Sequence, residues 1–300
     1  MGKNKSMAVN LLTLIQDLGI RTKLLTLMAL WVITFYPVYP GLVGAWFYRS
    51  DNSHGALVPL ISLYFIWQRR DDLRSAEICS SGWGALLLAG SLGLYLLSYV
   101  GGIALVMRLS LVASLCGLVL HVLGWRIFRI LLFPLLFLFF MVPVPDSVEM
   151  LVSFPLQIFA TRVSASIIGF LSIPVFREGN MLYFAQTQLE VAEACSGINS
   201  ITSLTMLSVI FVHMMPRGWK LKAVILLSAI PIAVAANIVR VSGTGVLAHF
   251  FGGGVAGGFL HTFSGLVVFA FGFVVLLLEY AMVNRIYQRR RSRSRVDEKR

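Results

Sequence analysis

The sequence predicts an all-α fold: a polytopic transmembrane helical bundle of about eight spans, with one further outer-side amphipathic or re-entrant helix. Three observations carry this. Of the 300 residues, 58% are hydrophobic and 13% charged, about half the charged share of a soluble domain. The apolar residues fall in continuous runs near the ~20 that a bilayer core takes, without the period-2 alternation of a spanning barrel. The basic residues gather at alternate ends of those runs.

Taken in order, the expected spans are 24–41, 55–68, 83–100, 103–123, 130–143, 198–215, 221–239 and 262–284. The first run starts at Leu24 and continues into "FYPVYPGLVGAWFYR" rather than a small-residue cleavage site, so it reads as a retained signal anchor. Residues 147–172 are long enough to span. Crossing there would carry the following basic clusters to the other side. Glu149, Ser153, Gln157 and Thr161 recur every fourth residue, which predicts one wet helical stripe and an outer-side amphipathic or re-entrant helix. The chain divides into a transmembrane domain, 1–284, and a basic cytoplasmic tail, 285–300. No internal repeat or soluble domain is evident.

The net charge of +12 is explained by its location. Lys3, Lys5, Arg21 and Lys23 precede the first span, and Arg69, Arg70 and Arg74 follow the second. Arg126 and Arg129 follow the fourth. Arg217, Lys220 and Lys222 separate the sixth and seventh, and eight more basic residues lie from Arg285 to Arg300. Twenty of the 25 Lys and Arg thus share one side, which the positive-inside rule makes cytoplasmic. The tail "RRRSRSR" reads as a stop-transfer and lipid-surface anchor, not a nucleic-acid site. The implied location is a bacterial inner membrane with both termini cytoplasmic.

Three loops then meet outside: 42–54, 144–197 and 240–261. Within the second, "NMLYFAQTQLEVAEA" alternates and predicts a small strand pair. A helix follows at "CSGINSITSLTML", with Ser196, Asn199 and Ser200 as capping residues. Cys195 at that helix start would feel unpaired N–H groups that favour a thiolate, while Glu190 and Glu193 oppose it. Cys79 and Cys116 fall elsewhere, so no disulfide framework exists. On these residues alone Cys195 reads as a packed structural thiol, since small residues are normal at helix contacts in membranes. In "NIVRVSG", Arg240 ends the seventh span with Asn237 three residues earlier on the same face. A charge at that depth points to function, whereas snorkelling to headgroups leaves Asn237 unexplained. In "FLHTFSG", after the glycine-rich "GGGVAGG", His261 opens the last span. His249 and His54 are also outer by this topology, and spacing does not choose among the three. A thiol, a guanidinium and an imidazole on one face suit acyl transfer: nucleophile, base, and donor to the developing oxyanion.

"EACSGINS", "NIVR" and "HTFSG", in that order, resemble the three signature segments of the exosortases, and "DNSHGALVP" resembles their N-terminal signature. The resemblance implies a Cys–Arg–His site at Cys195, Arg240 and His261, supported by Ser196, Gly197 and Asn237. It implies a membrane-embedded cysteine protease or transpeptidase facing the periplasm. The implied substrates are exported proteins ending in a Pro-Glu-Pro-like motif, a transmembrane helix and a basic cluster. After cleavage they would pass to a surface acceptor, in bacteria that make exopolysaccharide. No cofactor is implied, and no metal: the histidines lack ligand spacing. Two alternatives remain: a non-catalytic exopolysaccharide assembly or lipid-carrier translocation protein in which Cys195 only packs, and a simple endopeptidase with water as acceptor.

Overall fold

The computed structural model describes residue 19 and residues 22–297, apart from 192–197, 216–217 and 253–258. At 50, 51, 198, 259–264 and 286–297 the description is of backbone only. The chain forms two compact units, Met1–Val144 and Pro145–Arg300.

In the first unit, α1 (Thr22–Thr34) meets the helical stretch Tyr36–Tyr48 at a 46° bend. Pro37 and Pro40 cause it: each opens a helical segment, a 3-10 turn at Tyr36–Val38 and α2 at Tyr39–Tyr48. A proline there removes a backbone donor and restricts the residue before it. The bend is tied to α5 (Gly82–Val100), where the Tyr95 hydroxyl donates to Thr34 O at 3.0 Å and the Phe35 and Tyr95 rings lie 4.5 Å apart. A 3-10 stretch (Ser50–Ala56) leads into α3 (Leu57–Gln68), and the short α4 (Arg70–Arg74) follows.

The next element, α6 (Ala104–Phe137), continues as 3-10 helix to Met141. Straight, 38 residues would extend about 57 Å. Yet Arg108, near its start, donates to Gly41 O at 3.3 Å, and Met141 O, at its end, accepts from Trp46 Nε1 at 2.9 Å. Gly41 and Trp46 both belong to α2, ten residues or about 15 Å long. The element therefore folds back on itself. The reversal sits at Gly124, where φ is 85° and ψ −179°. A Cβ there would overlap Cys79 O of the preceding loop, so only glycine fits. The first arm packs antiparallel on α5 through Gly84, whose Cβ position is filled by His121, and Gly117, whose Cβ would lie 2.6 Å from Leu88 N. Such glycines let helix backbones approach closely in lipid.

In the second unit, α7 (Asp146–Phe170) precedes a three-stranded antiparallel meander: β1 (Phe176–Glu178), β2 (Met181–Tyr183) and β3 (Gln188–Glu190). The alternating stretch thus forms the expected pair β2–β3, with Met181 opposite Glu190, and β1 adds a strand that the sequence reading lacked. Helices α8 (Ile198–Met214), α9 (Trp219–Phe251) and α10 (Phe259–Asp297) follow. They share a core in which Leu204, Ile225, Ala229, Ala233 and Leu276 are fully buried.

Among the described residues, five helices are long and apolar enough to cross a membrane, or six if the bent pair is one span. The expected count was about eight. The shortfall has three sources. Helix α3, with 12 residues, and α8, with 17, are each under the ~20 of a straight span. The expected spans 103–123 and 130–143 are the two arms of one folded element. Conversely, α7 joins the set. Three members of its expected polar stripe, Ser153, Gln157 and Thr161, are buried, as is Ser164 three residues on, while Glu149 is half-buried. A polar residue at every fourth position serves a helix contact inside a membrane as well as it serves a water-facing stripe.

Candidate active site

Arg240 lies within α9 rather than at its end, since the helix runs on to Phe251. The expected outer loop 240–261 is therefore helical over its first half, and the glycine-rich stretch 253–258 lies outside the described residues. Asn237, three residues earlier, is 1% exposed. Arg240 is half-buried, and its guanidinium meets α10 at Gly265. A Cβ on Gly265 would lie 3.5 Å from Nη2, 3.6 Å from Cζ and 3.7 Å from Nη1. Three coplanar atoms so nearly equidistant from one point mean that the guanidinium plane lies face-on across that glycine. His261 sits on α10 one turn before Gly265, on the same side of the helix. Arg240 and the "HTFSG" segment are thus brought together.

Cys195, Ser196 and Gly197 lie outside the described residues, as does the His261 side chain. The chain on either side of Cys195 is described. Val191 N donates to Asn180 O at 3.0 Å, and Val191 O accepts from the Gln157 amide of α7 and from Asn180 Nδ2 at 3.4 Å. Val191 is buried in one apolar cluster with Ile168, Leu182, Phe184 and Val241. Val241 is the neighbour of Arg240 in α9. Cys195 lies four positions after the pinned Val191, a reach of at most ~14 Å, and helix α8 begins at Ile198. Glu190, one of the two acids expected to oppose a thiolate, is exposed in β3, 3.5 Å from Asn180 Nδ2.

The two other histidines expected on the outer side, His249 and His54, are described. The His249 ring lies 6.2 Å from the Phe184 ring and 5.0 Å from that of Phe250, on the same α9. His54 belongs to the first unit, in the 3-10 stretch after α2. Cys79 is exposed and Cys116 is buried in α6.

Three residues absent from the sequence reading of the site adjoin it. Gln157 holds Val191, Ser164 Oγ donates to Ile238 O at 3.2 Å, and the buried Ser242 Oγ has no hydrogen-bond partner among the described residues. Gln157 stood in the polar period of 147–172; what hid its role was the choice of water as the partner of that stripe. Ser164 and Ser242 carried no signal, since lone serines are ordinary in membrane helices.

A family model described as transmembrane exosortase matches residues 46–278. The match covers "DNSHGALVP", the Cys195 segment, Arg240 and His261 together. No curated protein and no solved structure matches the chain. With its apolar helices and a match over more than three quarters of its length, the chain belongs to the transmembrane exosortase family and is a multi-pass membrane protein.

Proposed function

We propose that this exosortase is a membrane-embedded cysteine transpeptidase that cleaves the C-terminal sorting signal of exported proteins. Cys195 is the nucleophile, His261 the base and Arg240 the donor to the developing oxyanion, with Ser196, Gly197 and Asn237 supporting them. The Cys195 thiolate adds to the scissile carbonyl, and the negative oxygen is stabilised by the guanidinium. Collapse expels the tail amine, which takes a proton from the His261 imidazolium and leaves an acyl thioester. An acceptor amine or hydroxyl then attacks, gives its proton to His261 and releases the thiol.

The observation that supports this best is the Arg240 guanidinium across Gly265, one turn from His261. Two of the three family segments meet there, and Val191, four residues before Cys195, shares an apolar cluster with Val241 beside Arg240. The gathering of basic residues at one set of span ends supports a site on the periplasmic face of an inner membrane, with both termini cytoplasmic. The partners are exported proteins carrying a Pro-Glu-Pro-like motif, an apolar helix and a basic cluster. A helix in the signal explains an enzyme built within the bilayer.

The test is a tagged exported reporter with such a tail, expressed beside the enzyme. Cys195→Ala should leave the enzyme in the membrane at normal level and the reporter at full length. Complete reporter processing by that variant would overturn the enzymatic reading in favour of a non-catalytic assembly protein.

A further inference from the structure

Four side chains of α7, Ser153, Gln157, Thr161 and Ser164, are buried on one face of a helix that is otherwise largely apolar. Buried polar groups cost a few kcal/mol unless hydrogen-bonded, so the partners tell what the face is for. Thr161 Oγ1 donates to Gln157 O at 2.7 Å, within its own helix. The other two bonds leave the helix. The Gln157 amide donates to Val191 O, four residues before Cys195. Ser164, two turns on and on the same side, donates to Ile238 O, two residues before Arg240. A single rigid helix thus grips the strand that leads to the thiol and the helix that carries the guanidinium.

We propose that Gln157 and Ser164 on this face of α7 are positioning residues for the reaction, Gln157 the principal one, setting the approach of the Cys195 segment against Arg240. The inference rests on the reading of Cys195 as nucleophile. Gln157 touches no reacting atom; it acts through Val191. Three features support a positioning role. Gln157 is 7% exposed, so its amide has little water to turn to. Its target, Val191 O, lies just past the end of β3 rather than at a mid-strand carbonyl. The remaining bond to the same oxygen, from Asn180 Nδ2 at 3.4 Å, is long for an N–H···O bond and is a weak substitute. Loss of Gln157 should therefore loosen the approach without unfolding the sheet.

Two readouts test this, on the full-length enzyme in nanodiscs with the tailed reporter as substrate. Gln157→Met keeps length and bulk but cannot donate. Its kcat should fall by about tenfold to a hundredfold, the range expected when a reacting group is misplaced by ~1 Å, with KM nearly unchanged. Thr161→Val, which removes only an own-helix bond, should keep wild-type kcat. The second readout needs no catalysis. In a chain carrying Cys79→Ala, Cys116→Ala and Arg240→Cys, mild oxidation should join Cys195 to residue 240, and adding Gln157→Met should slow that crosslink several-fold.

If Gln157→Met does not accumulate, Ser164→Ala carries the same test from the α9 side, with a smaller slowing of both rates. Wild-type kcat and crosslinking in the accumulating variant would overturn the inference, as would an equal loss in Thr161→Val. The Cys195→Ala control separates the two failures. If it still processes the reporter, the enzymatic reading falls; if it is inactive while Gln157→Met behaves as wild type, only the positioning role falls.

Discussion

The Arg240 guanidinium lies face-on across Gly265, with Cζ 3.6 Å from where a Cβ would stand. That distance is ordinary van der Waals contact, so a methyl group fits and a larger side chain does not. Gly265→Ala should keep most reporter processing. Gly265→Leu should push the guanidinium off the face of α10 and cut processing by about a hundredfold, the scale of losing one oxyanion donor. Arg240→Lys should not restore it, because an ammonium lacks the planar fork. Immunoblots of precursor and product over time check all three.

Orientation can be checked with thiols. Gln186 is exposed between β2 and β3, and the native Cys79 is exposed in the loop before α5. In a Cys195→Ser background, Gln186→Cys should react with a membrane-impermeant maleimide on intact spheroplasts, and Cys79 only after permeabilisation. The reverse pattern would put the proposed site in the cytoplasm.

What the sequence made legible divides along physical lines. Helices α5 and α8 fall within a residue or so of their expected bounds, because a run of apolar residues closed by a polar loop is a strong local signal. The hairpin at Gly124 was legible only as two separate runs; the close approach of Cys79 O that requires glycine is a tertiary fact. The extension of α9 to Phe251 is not legible, because the apolar run stops near Arg240, although a charge can sit inside a helix when its surroundings are polar or small, as at Gly265. The proposed site residues Cys195, Arg240 and His261 were legible only through their chemistry and the family resemblance. The supports Gln157 and Ser164 were not, since a polar period does not say whether its partner is water or backbone.

The Gly124 turn gives a stability prediction. The position has φ 85°, costly for a residue with a Cβ by ~1–3 kcal/mol, and the Cβ would also overlap Cys79 O. Gly124→Ala should lower the folded yield sharply in fluorescence-detected size exclusion. Gly90→Ala on α5 is the matched control: nothing lies within 4 Å of its Cβ position, and alanine gains up to ~1 kcal/mol of helix propensity. It should accumulate at or above the wild-type level.

The last prediction concerns which imidazole is the base. Sequence spacing left His54, His249 and His261 equivalent, and the structure separates two of them. His249 lies 12 residues before His261, on α9 beyond Arg240, with its ring against Phe184 and Phe250. An imidazole in ring contacts of that kind is replaceable by a phenyl group of similar shape. His249→Phe should keep the packing, the membrane level and most of the processing. His261 stands on α10 one turn before the glycine that Arg240 covers, so His261→Ala should leave the precursor uncleaved in an enzyme that still accumulates. His261→Gln keeps a polar side chain of similar length but no proton-accepting nitrogen, and should be nearly as inactive; general-base catalysis contributes about a hundredfold or more. A thioester trapped on Cys195 should be absent from both His261 variants and present in His249→Phe, because thiolate formation needs the base before the carbonyl is attacked. An active His261→Ala beside an inactive His249→Phe would move the base to α9 and place the reacting carbonyl beyond Arg240 rather than between α9 and α10.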